Sequence, residues 1–578
     1  MGKAGRDRGE FGGRGRIMQH DRLGLPRLAA LLLAIWVFYA IVLLVPGHMA
    51  VSGIEGDVLH ALDGAMRMAL GAIPHLEFST PLGAIAFGSI ALPLAAGLGP
   101  GISMMLANLA MALLFLPLLL WLRATRLGGW LALILGVWVM IETVGLVHDS
   151  ATPTVTFALY YNRWSWAVFT MIAVLMLFDP REGQDRPAGD GIAIGLAMAY
   201  LAMLKMTFFV ALLPAVMVWV LSGRRWRCLA FMAASGLAVA AIATLWAGTL
   251  EFWRAYLADL LLVATSDTRP APGMQISEIV GAPVNFMGTF LLLASIVALR
   301  KSGHMRQGLM LLFLLPGMTY VTYQNWANAP VWLVALLMLL IGAYLHTPDE
   351  RRVFGRPARA ALAALALMTL TQAAPYVGNM FASPFRHLGG GGEDYSNPIR
   401  VAGWNDLLFL TRRGAMSSAR IPLGTPPEDL TDPRSKWDMT PVTFMGRTFQ
   451  PCNAVAGIVS QMDARAASLA NVPDLAGDAV LTVDMVNITW MFTGGKPMTG
   501  GSAWYYGGHT GFEAAKWLVV PACPMSALAR ATMLKEIESL GWRFEEVYSD
   551  DVVTVYRRLP DAGPEMPALS LRLATDGE

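Results

Sequence analysis

Long runs of apolar residues recur from Leu25 to Pro375 and are separated by short polar segments. A helix needs about 20 apolar residues to cross a bilayer, and runs of this length predict membrane spans. The pattern predicts eleven spans, at 25–46, 102–122, 128–147, 164–178, 190–204, 206–222, 227–249, 283–299, 307–322, 328–345 and 358–375. We therefore expect an α-helical polytopic membrane protein.

The segment 81–99, "PLGAIAFGSIALPLAAGLG", is also apolar but rich in Gly and Ala and contains Pro93. If it does not cross, the basic residues fall on one side of the membrane, and this side is normally the cytoplasm. These residues are the N-terminal tail, Arg123/Arg126, Arg181/Arg186, Arg224/Arg225/Arg227, Arg300/Lys301/Arg306 and Arg351/Arg352/Arg356/Arg359. The sequence thus predicts a juxtamembrane or re-entrant helix at 81–99, with Thr80 as its N-cap and Pro81 as its first residue.

This orientation divides the chain into four parts. Residues 1–24 form a disordered basic cytoplasmic tail, and 25–376 form the transmembrane domain with a large acidic first outer loop, 47–101. Residues 377–395, with the run "GGGG", are typical of a flexible linker. Residues 396–578 are then an exported, periplasmic domain of a protein of the bacterial cytoplasmic (inner) membrane. Strand and helix patterns in that part predict a small α/β or α+β fold.

Composition agrees with a membrane protein. The chain has 578 residues, of which 55% are hydrophobic and 15% are charged, whereas soluble domains carry about 25% charged residues. The net charge of +2 gives no indication of nucleic-acid binding, because the basic residues follow the topology.

The segment 52–68, "SGIEGDVLHALDGAMRM", places several ionisable residues just outside the first span. Its apolar positions have helical spacing and predict an amphipathic helix at the outer membrane surface. Asp63 and Arg67 have the i,i+4 spacing of a surface ion pair.

In layout, the chain resembles the GT-C superfamily of membrane glycosyltransferases, which includes bacterial oligosaccharyltransferase, the protein O-mannosyltransferases and the lipid A aminoarabinose transferase. In these enzymes an acidic residue opens the first outer loop, a position that Asp57 occupies in "EGDVLHALDG". A second acidic residue follows the third span, where "VHDSATP" supplies Asp149, and "LAMLKMTFF" supplies Lys205 at the outer junction of two later spans. The Trp-Trp-Asp signature of oligosaccharyltransferases is missing from the sequence, which argues against that activity.

The resemblance implies transfer of a sugar from a polyprenyl-phosphate donor to a glycan, lipid or protein acceptor at the outer membrane face. Such chemistry needs a general base, cations for the leaving phosphate and an apolar groove for the lipid. We expect Asp57 to be the base and Asp149 a second catalytic carboxylate. Lys205 and Arg163 are candidates for the donor phosphate, although snorkelling and interface anchoring explain them equally well.

Secondary candidates are Glu55, Glu77, Glu142, His148 and Glu278. Glu142 is an intramembrane carboxylate, which is costly and therefore a functional candidate or an internally satisfied structural group. A divalent metal, Mg or Mn, would use Asp57 or Asp149 as a ligand.

The chain has three cysteines. Cys452 and Cys523 both fall in the predicted exported domain, where disulfides persist, and we expect them to be paired. Cys228 begins a span on the predicted cytoplasmic side and should stay reduced.

Two other functions remain open. A polytopic transporter is one, although no internal repeat is visible and the candidate groups gather in outer loops rather than at mid-membrane. A non-catalytic scaffold with an exported domain is the other, and it would leave the acidic loop unexplained.

Overall fold

The computed structural model describes residues 23–148, 152–266, 277, 283–324, 329–353, 355–411, 440–452 and 457–559. The helices are α1 Leu25–Leu44, α2 Glu55–Ala69, α3 Ala84–Ala95, α4 Pro100–Thr125, α5 Gly129–Val144, α6 Tyr160–Leu177, α7 Pro187–Leu204, α8 Met206–Ser222, α9 Trp226–Ala247, α10 Glu251–Thr265, α11 Pro283–Lys301, α12 Met305–Tyr323, α13 Leu333–His346, α14 Ala358–Leu388, α15 Ile458–Leu469, α16 Thr489–Thr493 and α17 Ala527–Ser539. The strands are β1 Met49–Val51, β2 Arg352–Val353, β3 Arg356–Pro357, β4 Tyr395–Ser396, β5 Leu407–Leu410, β6 Val442–Phe444, β7 Arg447–Phe449, β8 Val480–Thr482, β9 Trp517–Pro521, β10 Phe544–Ser549 and β11 Val553–Arg558.

The helical, polytopic fold class is confirmed, and each of the eleven predicted spans overlaps a helix. Among the described residues, α1, α4, α7, α9 and α14 are both long and apolar enough to cross a membrane by length and composition. Four further apolar helices, α3, α5, α8 and α13, are shorter. Helix α6 is almost entirely buried among its neighbours.

Helix α3 has 12 residues and is therefore only about 18 Å long, well short of the ~30 Å hydrocarbon layer. The prediction that it begins at Pro81 with Thr80 as N-cap is wrong, because the N-cap is Gly83. The residues just before it form hydrogen bonds with α10 instead. Thr80 N and Ser79 Oγ both donate to the carboxylate of Asp259 in α10, at 3.0 and 2.6 Å.

Helix α14 runs on to Leu388, so most of the segment predicted as a flexible linker is helical. Its C-terminal end is held by packing against the segment between α5 and α6. Leu146 N donates to Ser383 Oγ at 2.8 Å, and Asn379 Nδ2 donates to the carbonyl oxygen of Thr152 at 3.0 Å.

The region after α14 shares a sheet with the first outer loop. Strand β5 pairs in parallel with β1 and antiparallel with β4. Beside it, the carboxylate of Asp406 accepts the backbone N–H groups of Gly101 and Ile102 at the start of α4. A carboxylate at a helix N-terminus satisfies N–H groups that lack helical partners and offsets the helix dipole.

A second sheet, in the order β10-β11-β9-β8, mixes antiparallel and parallel pairing and packs with α17. Cys452 and Cys523 form a disulfide beside it, with a Cα–Cα distance of 5.0 Å. Cys228 is a free, buried thiol.

Helix α2 forms as predicted, but it does not lie on the membrane with an exposed polar face. Val58 and Leu62 are buried, and so are the polar residues His60, Asp63 and Arg67, all under 9% exposed. The prediction that Asp63 and Arg67 are a surface pair is therefore wrong. The reason is tertiary: α3 covers one side of α2, and the region after residue 457 covers another.

Candidate active site

Helix α2 begins directly after a strained residue. Ile54 has a φ of 55°, in the left-handed region, which is unusual for a β-branched side chain and is typical of functional segments. The turn places Asp57 as the third residue of the helix, partly buried. Here the N–H groups of the helix terminus favour a negative charge.

A tyrosine hydroxyl and basic side chains lie near the carboxylate of Asp57. Tyr161 Oη donates to Asp57 Oδ2 across a long 3.5 Å contact, and Lys205 and His148 act electrostatically on the carboxylate. Burial outweighs these groups and raises the pKa of Asp57 to about 6. A carboxylate with such a pKa is ionised at neutral pH and is a stronger base than an exposed aspartate.

Lys205 lies at the break between α7 and α8, where its extended backbone (φ −151°) ends one helix and begins the next. Its Nζ donates to Asn162 Oδ1 at 2.6 Å and lies 4.9 Å from the centre of the Tyr161 ring. Both partners belong to the first turn of α6, which follows a second strained residue, Leu159, with φ 57°. The ends of four helices, α2, α6, α7 and α8, thus meet around Asp57 and Lys205.

A close backbone contact holds the chain next to Lys205, where α7 ends and α8 begins. Gly83 N donates to the Leu204 carbonyl at 3.1 Å, and a β-carbon on Gly83 would stand only 2.0 Å from the carbonyl oxygen of Met203. We expect Gly83→Ala to push these backbones apart, displace Lys205, lower the melting temperature and destabilise the protein by roughly 1–3 kcal/mol. Thermal unfolding in detergent measures the change in stability, and an activity assay measures the displacement of Lys205.

Gly88→Ala in α3 is the matched control, since a β-carbon there would meet only the flexible end of Met68 at 3.4 Å. If the two variants melted and reacted alike, the contact with Met203 would not constrain the site.

A narrow cleft opens beside this group and is lined by His148, Asn162, Arg163 and Tyr376, among others. His148 Nδ1 lies 2.9 Å from Thr154 Oγ1. Asn162 connects the cleft to Lys205, because the same side chain lines the cleft and accepts from the ammonium.

Arg163, a predicted phosphate ligand, reaches the cleft but also holds the segment between α5 and α6. Its Nη1 donates to the carbonyl oxygens of Val147 and Ala158 at 2.5 and 2.7 Å. Beneath it, Glu142 is fully buried, and the side chain of Trp138 lies beside its carboxyl group. Glu142 and Arg163 interact electrostatically.

Glu55 and Glu77 are not brought into the cleft. Glu55 is the first residue of α2, and Glu77 accepts the N–H of Ile73 at 2.6 Å to close a turn. Asp149 and Glu278 lie outside the described residues, so their roles stay predictions.

The region beyond α14 packs against the helix that carries Asp57. Arg67 Nε donates to Asp63 Oδ2 and Arg67 Nη1 to the Met498 carbonyl, each at 2.6 Å. Trp490 Nε1 donates to Asp63 Oδ1 at 2.7 Å. This buried network joins α2 to two separate segments of the C-terminal region.

Trp504 packs against α2 one residue away from Asp57. A β-carbon on Gly56 would meet its ring at 3.4 Å, and the ring centre is 5.6 Å from that of His60. Burial lowers the pKa of His60 to about 4, so this imidazole is neutral at physiological pH.

Sequence reasoning missed Tyr161, Asn162 and Tyr376 as site residues. The stretch "YYNRW" is typical of aromatic residues at the membrane interface. The polar Asn162, just before the predicted span 164–178, was the signal in the sequence that could have indicated the site.

Within the described part of the chain, no group of three or more His, Cys, Asp or Glu side chains is placed to hold a metal ion. Lys205, Tyr161 and His148 surround Asp57 with groups that suit an anion better than a divalent cation. We therefore assign no step to a metal.

No family model and no curated protein matches this chain. Two solved structures resemble it over most of its length. The crystal structure of ArnT from Cupriavidus metallidurans bound to undecaprenyl phosphate has 12% identity and a TM-score of 0.40, covering 93% of this chain and 98% of that chain. The apo state of the same protein gives 12% identity and a TM-score of 0.43, covering 93% and 99%. At this level of similarity, function is inferred from the geometry of the site itself.

Proposed function

We propose that this protein is an integral-membrane glycosyltransferase that moves a sugar from a polyprenyl-phosphate donor to an acceptor at the outer face of the cytoplasmic membrane. The observation that carries the proposal is one constellation. A carboxylate, Asp57, whose pKa is raised to about 6, and an ammonium, Lys205, lie on either side of Tyr161 beside a cleft. The layout that resembles the GT-C superfamily supports the same activity.

In the proposed reaction, an acceptor hydroxyl or amine attacks the anomeric carbon of the donor sugar. Asp57 takes the proton of the attacking group, and the bond from the anomeric carbon to the phosphate oxygen breaks. Its electron pair remains on the phosphate, whose charge Lys205 offsets. A positioned base of this kind contributes roughly 10²–10⁴-fold to the rate, and a fixed cation stabilises the leaving anion.

The one-sided distribution of basic residues supports a cytoplasmic N-terminus and a periplasmic C-terminal domain. We expect alkaline phosphatase fused after Glu578 to be active, because this enzyme folds only after export. A green fluorescent protein fused at the same point, which matures in the cytoplasm, should stay dark. Bright fluorescence with an inactive phosphatase would reverse the topology.

The activity is tested with membranes from a strain that lacks the gene, which supply both donor and acceptor. Purified protein added in mixed micelles should consume a polyprenyl-phosphate sugar and release polyprenyl phosphate, as followed by mass spectrometry. An unchanged lipid profile would reject the proposal.

A further inference from the structure

The first turns of α7 and α9 lie side by side. A β-carbon on Gly191 of α7 would stand 2.3 Å from the carbonyl oxygen of Cys228 in α9, so the two backbones are in contact. Arg225, the residue before α9, donates to Asp185 Oδ1 at 3.5 Å, and its guanidinium lies 4.3 Å from the centre of the Trp219 ring. These contacts hold the start of α7 next to the turn between α8 and α9.

Three exposed arginines, Arg186, Arg224 and Arg227, lie at the starts of these two helices. In the part of the chain that the structure describes, no carboxylate pairs with any of them. Arg306, an exposed arginine on the same predicted side of the membrane, pairs instead with Asp179. Arg224 also has a φ of 50°, a left-handed conformation that is uncommon for residues other than Gly. The three unpaired charges favour an anionic ligand at this point of the surface.

Next to the arginines, α9 presents an apolar face to the surroundings of the helix bundle. Its 22 residues span about 33 Å, close to the ~30 Å hydrocarbon layer, so Trp226 at its start lies at the level of the lipid headgroups. Trp226 is 60% exposed and Leu237 is 69% exposed. The exposed Ala230 and Ala233 lie between them on the same face, at helical spacing. This face can therefore accept an acyl chain whose headgroup lies at the arginines.

We propose that an anionic phospholipid binds here, with its phosphate among the three arginines and an acyl chain along the Trp226 face of α9. Guanidinium groups suit phosphate because their N–H groups match its oxygens, and basic clusters at a membrane interface bind anionic headgroups. The lipid is a membrane component rather than a substrate, because the site lies at the opposite end of α7 from Lys205. The 18 residues of α7 separate the two by about 27 Å, and the proposal is independent of sugar transfer.

The first test measures lipid binding to the purified protein by native mass spectrometry. The probes are phosphatidylglycerol, which is anionic, and phosphatidylcholine with the same acyl chains, which has no net charge. The double variant Arg224→Gln/Arg227→Gln removes two of the unpaired charges, and Arg306→Gln, from an ion pair, is the matched control. We expect the wild type and Arg306→Gln to prefer phosphatidylglycerol. The double variant should bind it at least ~10-fold more weakly, since each basic residue near an anionic headgroup contributes about 5-fold.

Thermal unfolding accompanies this measurement. All three proteins should melt alike in lipid-free detergent, because the substituted side chains are exposed. Phosphatidylglycerol should raise the melting temperature of the wild type and of Arg306→Gln more than that of the double variant, because a bound ligand stabilises the folded state. Equal affinity of the wild type for the two lipids would overturn the site, and so would an equal loss of binding in the double variant and in Arg306→Gln.

A second test locates the acyl chain. Phospholipids with brominated acyl chains quench tryptophan fluorescence on contact, and the share that comes from Trp226 is the difference between the wild type and Trp226→Phe. Brominated phosphatidylglycerol should quench this share at a lower mole fraction than brominated phosphatidylcholine does, and the two lipids should quench equally once Arg224 and Arg227 are replaced by Gln. Glycerol 3-phosphate, which has the phosphate but no acyl chain, should not compete. Quenching independent of the headgroup would reduce the site to ordinary bilayer contact, and competition by glycerol 3-phosphate would assign the arginines to a free phosphate.

Discussion

Asp57→Asn is expected to lower the rate of sugar transfer by about 10³-fold while the protein still inserts and melts normally, because it removes the proton acceptor and leaves the shape of the side chain unchanged. Purified wild-type and variant proteins are compared for release of polyprenyl phosphate under saturating lipid. Glu55→Gln is the matched control, since it neutralises a carboxylate two residues earlier in the same helical turn. Similar losses in both variants would mean that Asp57 is not the base.

The pH profile gives an independent check. Burial raises the pKa of Asp57 to about 6, and the base must be ionised to act. The rate should therefore increase with pH through about 6 and level off above it. The residual activity of Asp57→Asn should not increase with pH in this range. An increase that persisted in the variant would reflect the titration of another group.

The second large effect is expected from Arg67→Met, which breaks the buried contact between α2 and the C-terminal region. Asp63 and Arg67 are 1% and 4% exposed. Without Arg67, the Asp63 carboxylate stays buried, and Trp490 is its remaining side-chain donor within the described part of the chain. Loss of such a partner typically costs roughly 3–5 kcal/mol. Unfolding in detergent should show a lower melting temperature, and hydrogen exchange should increase around Trp490 and Met498.

Arg254→Met is the control for this variant. Arg254 forms a comparable pair with Glu251, but on an exposed helix surface, where such pairs contribute little. We expect no measurable change in its melting temperature. The double variant Asp63→Asn/Arg67→Met should recover part of the loss, because it removes the unpaired charge. Equal melting of the Arg67 and Arg254 variants would show that the network does not hold the two regions together.

The membrane helices could be predicted because lipid imposes long apolar runs, and each predicted span overlaps a helix. The environment of α2 could not be predicted in the same way. Its polar positions have surface-like spacing, yet Asp63 and Arg67 are buried by segments more than 400 residues later in the chain. The helix to Leu388 was missed because the run of glycines that follows it is a strong local signal for a linker.

Within the candidate site, Asp57 and Lys205 were predicted from the resemblance to the GT-C superfamily, and in the structure both lie against Tyr161. The contribution of Asn162 and Tyr161 depends on the left-handed turn at Leu159, which directs the first turn of α6 toward Lys205. A local pattern of apolar and polar residues does not encode such a turn at a leucine. The contacts of Arg163 could not be predicted either. They join it to the Val147 and Ala158 carbonyls and depend on how the segment between α5 and α6 folds.

We propose that the protein transfers a sugar from a lipid carrier with Asp57 as the base and Lys205 at the phosphate. The lipid content of living cells tests this proposal most directly. Polyprenyl-phosphate sugars are quantified by mass spectrometry in a deletion strain complemented with the wild-type gene, with Asp57→Asn or with an empty vector. The account predicts that one such lipid accumulates with the empty vector and with Asp57→Asn, and returns to the parental level with the wild type. The same lipid profile in all three strains would contradict it.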